Sequence, residues 1–202
     1  MKLKLYYFLI LAILLSACGM TDESDLIDNY ENHRIEIQQL KKYFDEIVPE
    51  NYLVRIRFNE SDNIDFIVYE PSLNSTKREL LFRKWNLDLD NYSEEPQTEN
   101  DKKYHGKTNS LEIVKTKLMW NRETFKEIYN KLESIKCIGI SNRIPTEIEY
   151  DYRGMGIFSY YIFNNNLNDA DKEKYSDGCS TLFYKNNVVL AYGSGAIGSI
   201  CW

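Results

Sequence analysis

Leu26, Tyr30, His33, Ile37, Leu40, Phe44 and Ile47 recur at spacings of three and four. That spacing predicts one apolar helix face over about 25–48, ended by Pro49. A coiled-coil seam fits the same spacing, although a histidine and two aromatics at seam positions favour packing on a sheet. The period then changes to two. Val54, Ile56 and Phe58 alternate with Arg55 and Arg57, and Ile64, Phe66 and Val68 repeat the pattern after a polar turn at 59–63. A β-hairpin with one buried face is expected.

Thr76, Lys77, Arg78 and Glu79 have the form of a capping box ahead of Leu80, Leu81 and Trp85, which predicts a short helix over about 76–86. Residues 88–109 are mostly polar, include Pro96 and Gly106, and read as a long exposed loop. Residues 111–118 read as a strand. Asn121 is placed to cap a second helix whose Phe125, Ile128, Tyr129, Leu132 and Ile135 share a face. Strands are expected at 137–141, around Ile148, Tyr150 and Tyr152, and at 156–163, the last apolar on both faces and therefore central. A polar loop at 164–178 leads to a final hairpin of 179–184 and 188–192. The predicted class is α+β: one mainly antiparallel sheet with helices packed on one face.

The first residues follow a different logic. Lys2 and Lys4 precede an uncharged run, 5–15, that is too short to span a bilayer, which is the layout of a secretory signal. Leu15, Ser16, Ala17 and Cys18 follow it directly. This segment resembles the lipobox of bacterial lipoproteins. The resemblance covers residues 1–18 and implies cleavage before Cys18 and two acyl chains on its thiol, enough for firm anchoring. The expected organisation is a signal peptide at 1–17, the lipidated cysteine and a short tether at 18–25, and one domain at 26–202. Acidic residues in the tether, Asp22, Glu23 and Asp25, resemble a surface-export signal of some bacteria and equally suit a solvated linker.

Composition narrows the function. The formal net charge is −6, and loss of the two signal lysines brings it to about −8. A nucleic-acid partner would call for a basic face, so none is expected. The expected membrane contact is through lipid on Cys18. The 16 tyrosines suit both half-buried strands and recognition surfaces. With Cys18 acylated, Cys137, Cys179 and Cys201 remain. In an oxidising compartment Cys179 and Cys201 are the preferred disulfide pair, and Cys137 reads as a buried small residue.

Several chemistries can be weighed. Gly193, Gly195 and Gly198 match G-x-G-x-x-G, but the four residues after Gly198 leave no room for the helix a dinucleotide needs. Asn168, Asp169, Asp171 and Asp177 suggest a calcium loop, yet Lys174 and Ser180 stand where glycine and glutamate are needed. His33 and His105 are the only histidines, too few for a histidine-rich zinc site. Neither Ser180 nor Ser194 has a base at a readable spacing. No cofactor or metal is expected. Acids are abundant at Glu94, Glu95, Glu99, Asp101, Glu147, Glu149 and Asp151, and a glycosidase would need two of them facing each other across a cleft. The alternation of Glu147, Glu149 and Asp151 with Ile148, Tyr150 and Tyr152 predicts a solvated strand face instead. The function expected is a non-enzymatic binding or accessory lipoprotein. An immunity or inhibitor lipoprotein acting on a toxin or hydrolase, and an envelope-polymer hydrolase with paired carboxylates, are the alternatives.

Overall fold

A computed structural model describes residues 23–72, 78–94, 98–153 and 156–193. In chain order these form α1 (Glu23–Ile47), β1 (Leu53–Phe58), β2 (Asn63–Pro71), β3 (Arg78–Asp88), α2 (Glu99–His105), α3 (Leu111–Leu118) and α4 (Arg122–Ser134). There follow β4 (Gly139–Ser141), β5 (Thr146–Arg153), β6 (Gly156–Ile162), α5 (Asp169–Lys174), β7 (Thr181–Lys185) and β8 (Val188–Gly193). The strands form one eight-stranded sheet in the order β3-β2-β1-β4-β5-β6-β8-β7, every described pair antiparallel. The class is α+β.

The first hairpin has the expected register. Val54 faces Val68, Ile56 faces Phe66 and Phe58 faces Ile64, and all six are buried. This apolar face joins Leu26, Ile37, Leu40 and Phe44 of α1, Val114 and Leu118 of α3, and Phe125, Ile128 and Leu132 of α4 in one core. Trp120 links these layers. Its ring stacks on Phe66 at 5.9 Å, meets Phe44 at 6.0 Å and Phe125 at 5.4 Å, and its indole N–H donates to Ile47 O at 2.9 Å. The helix face of α1 is not continuous. His33 has φ −125° and ψ 20°, and the helix breaks there, with the imidazole half-buried.

Four segments differ from expectation. Residues 78–88 form a strand, not a helix: β3 pairs with β2 from Pro71 opposite Arg78 to Asn63 opposite Asp88. Two register shifts break its alternation, so Phe82 and Leu87 are buried while Trp85 is 51 % exposed. A bulged strand loses the period of two that identifies strands in a sequence. Of the expected capping box, Thr76 and Lys77 lie outside the described residues. Residues 111–118 form a helix, not a strand. Ser110 Oγ accepts from Ile113 N, Met119 closes the helix in the left-handed region, and Leu111, Val114 and Leu118 are buried at helical spacing. The β-branched Ile113, Val114 and Thr116 imitate a strand locally, and burial of one helical face outweighs that preference.

The long loop at 88–109 contains α2, and its end lies against the sheet. Lys107 N and Thr108 N donate to Leu80 O and Leu81 O. At Gly106, φ is +100° and a Cβ would sit 2.5 Å from the Leu81 backbone, so glycine alone permits the approach. Pro96 lies outside the described residues. The polar segment 164–178 likewise contains α5, capped by Asn168. As expected, Asn121 caps α4, in a reciprocal box with Thr124, β6 is interior to the sheet, and β7 and β8 form the last hairpin.

Candidate functional site

Away from the helices, β1 turns Arg55 and Arg57 to the other face of the sheet. On β5 the residues alternating with buried Ile148 are Glu147 and Glu149. The three-residue β4 lies between the two strands. Its register sets Arg57, Gly139 and Glu149 in one row and Arg55, Ser141 and Glu147 in the next. Gly139 has no side chain to separate its neighbours. The Glu149 carboxylate crosses the gap, and a Cβ on Gly139 would stand 2.9 Å from its Oε2.

Glu149 therefore reaches both arginines. Arg55 Nε and Nη2 donate to its Oε1 at 2.8 and 2.5 Å, and Arg57 Nε donates to its Oε2. Arg57 Nη1 also donates to the Tyr152 hydroxyl at 3.0 Å and lies 3.6 Å from Asp65 Oδ2. One strand row away, Arg143 Nη1 pairs with Glu147 Oε2 at 2.8 Å. Glu149 is 1 % exposed, so the expected solvated face at Glu147 and Glu149 is corrected: these are buried, paired carboxylates, and Asp151, beyond a register shift, is the exposed one. Burial disfavours charge on Arg57, but the Glu149 hydrogen bond and charge outweigh it and hold the guanidinium ionised above its ordinary value.

A hydrolase acting through two carboxylates needs one of them protonated and an open approach between them. Here Glu149 accepts from two guanidiniums and Glu147 from a third, an arrangement that fixes strand order rather than delivering a proton. The signal for it is present in the sequence as Arg-x-Arg on one alternating strand and Glu-x-Glu on another. What joins them is the insertion of β4 from far along the chain.

The remaining expected residues are dispersed. Cys18, Cys201 and residues 194–198 of the glycine-rich segment lie outside the described residues, while Cys179 and Gly193 lie within them. Cys137 is a buried free thiol, pushed well above its ordinary pKa by desolvation. In the calcium-like loop, Asp169 pairs with Lys172. Asp177 accepts from Ser180 Oγ and from the Cys179 and Thr181 amides, which hold its pKa at about 2. Glu99 pairs with Lys102, and Glu95 lies outside the described residues. No cluster of three or more metal-ligating side chains occurs among the described residues.

One open cleft of about 530 Å³ lies where the β1–β2 turn, the end of α4 and the bulge in β5 meet. Phe58 and Tyr129 pack their rings 5.3 Å apart at its wall, and Cys137 contributes to its lining. The pattern of the chain gives no hint of this cleft, because its lining comes from segments that are distant in sequence. Comparison with protein families, curated proteins and solved structures finds no match to this chain.

Proposed function

We propose that this chain is an exported bacterial lipoprotein that binds a partner while tethered to a membrane by lipid on Cys18. The observation that carries this reading is the lipobox-like Leu15-Ser16-Ala17-Cys18 directly after a short apolar run. The first described helix starts at Glu23, so a tether of a few residues would separate the domain from the membrane. Among the described residues no helix is long and apolar enough to cross a bilayer. The arginine-bound state of Glu147 and Glu149 supports binding over envelope-polymer hydrolysis.

The test is metabolic labelling with a palmitate analogue. The full chain is expected to label and to sediment with membranes, while Cys18→Ala loses label and accumulates unprocessed. Equal labelling of Cys18→Ala would overturn the reading. A narrower form is an immunity or inhibitor lipoprotein, favoured by the acidic balance of the chain, −6 in formal charge. Such a charge speeds encounter with a basic toxin or hydrolase.

A further inference from the structure

A smaller cleft, of about 240 Å³, lies at the C-terminal end of α1. The last turn of α1 and the 49–52 turn after it form one side, and the 142–145 loop between β4 and β5 forms another. Arg78 at the start of β3 and Asn164 just after β6 complete the rim. Thr146 and Ile162 also line it. They stand opposite one another on β5 and β6, and both are buried, which makes them its floor.

The floor holds a polar group that the protein does not satisfy. Thr146 is 4 % exposed, yet its hydroxyl has no hydrogen-bond partner among the described residues. A hydroxyl taken from water without a partner is costly. Glu50, exposed on the adjoining turn, is in no ion pair or hydrogen bond among the described residues either. The lining charges balance, Asp45 and Glu50 against Arg78 and Arg143. Asp45 is held by Lys41 and Arg143 by Glu147, and Arg78 Nε donates to Asn51 O at 3.2 Å. Each guanidinium has five N–H donors, so both keep donors for a ligand. Pro49, Tyr52, Ile144 and Pro145 add apolar wall, and Ile144 is 87 % exposed at the rim.

We propose that this cleft binds one ring of a neutral saccharide. The inference rests on the reading of the domain as a binding module and is independent of lipid on Cys18. A sugar ring carries hydroxyls around its edge, each both donor and acceptor, and C–H groups on its faces. The edge matches Thr146 Oγ1, the Glu50 carboxylate and the two guanidiniums. The faces match the apolar wall, where area removed from water contributes to binding. An anion would meet Asp45 and Glu50, a cation would meet Arg78 and Arg143, and an apolar ligand would leave the Thr146 hydroxyl dry. The cleft is smaller than the roughly 300–1,000 Å³ of drug-sized sites, which suits a single ring.

The experiment uses the full chain in zwitterionic, sugar-free detergent micelles, with amide NMR as the readout. The probes are glucose, N-acetylglucosamine and the linear tetramer of N-acetylglucosamine. Cyclohexanol, inorganic phosphate and ethylammonium are the controls. At least one sugar is expected to shift the amides of Asn51, Tyr52, Thr146 and Asn164, and the controls to leave them in place. Thr146→Val keeps the shape and removes the hydroxyl. It should weaken sugar binding about tenfold, the order expected of one buried hydrogen bond, and Thr146→Ser should restore it. Glu50→Gln lies on an exposed turn and should weaken binding several-fold at an unchanged melting temperature, which keeps the test open should the valine variant fail to fold.

No shift with any sugar would overturn the inference, as would an equal response to cyclohexanol. Saturable binding of phosphate or ethylammonium in place of sugar would overturn a neutral ligand. Undiminished binding by both Thr146→Val and Glu50→Gln would overturn this cleft as the site. Binding of the tetramer as tight as that of its monomer would support the site with a polymer end as its source, and binding of a monomer alone would support it with a free sugar. Absence of lipid on Cys18 would refute the tether and leave the sugar result intact.

Discussion

Gly139 and Glu149 illustrate how one side chain depends on the absence of another. With any larger residue at 139, the carboxylate could not cross β4 to meet Arg55 and Arg57. Removing charge from the Coulombic centre of this network leaves the buried Arg57 without its main counterion, and loss of one member of a buried pair costs several kcal/mol. Glu149→Gln keeps the shape and removes the charge. It is expected to lower unfolding stability by about 3 kcal/mol, read as a fall in the urea midpoint at unchanged slope. Arg55 is about one-third exposed on its side chain, so it should return to water at little cost, and a loss under about 1 kcal/mol would show that the network is solvated rather than buried.

Among the elements, α4 has the most complete local specification. Asn121 and Thr124 satisfy each other's backbone amides at its start, and Phe125, Ile128 and Leu132 fall on its buried face. Asn121→Ala is expected to cost about 1 kcal/mol and to speed amide exchange in the first turn of α4 while β1 and β2 keep their protection. Uniform loss of protection across the sheet would instead assign the cap a role in global folding. The strand β3 is the opposite case. Its local sequence leans to helix at Leu80, Leu81 and Trp85, and two register shifts plus pairing with β2 make it a strand.

For the whole molecule, a polar knot inside the core ties distant parts together. Asn29 Nδ2 of α1 donates to Ile135 O after α4 and to the Tyr160 hydroxyl of β6, each at 3.0 Å. Tyr160 in turn donates to Leu26 O at 2.8 Å. Burial pushes its phenol far above the ordinary value, so it remains a hydrogen-bond donor across the working pH range. Tyr160→Phe removes the hydroxyl and with it the bonds to Leu26 O and from Asn29 Nδ2, and is expected to cost about 1–3 kcal/mol. If the knot joins the helical layer to the sheet as one unit, thermal unfolding monitored on Trp and on far-ultraviolet ellipticity should fall together by the same amount. Separate transitions would show that helices and sheet unfold independently.

The sequence by itself determined the α+β class, the long first helix, the 53–68 hairpin, the capped α4 and the closing hairpin. In those elements local spacing and turn or cap residues point to the same structure that tertiary packing demands. It also holds the lipobox-like motif on which the proposed lipid anchor rests, because a motif of that kind is linear and read before folding. Tertiary structure decided the rest. The helix at 111–118 and the strand at 78–88 follow from which faces the core and β2 could bury, not from local preference. The pairing of Arg55 and Arg57 with Glu149 depends on β4 entering between β1 and β5, 94 residues separating Arg55 from Glu149. The cleft arises from the meeting of a turn, a helix end and a bulge, and a charge pattern along the chain carries no record of which carboxylates will face one another in space.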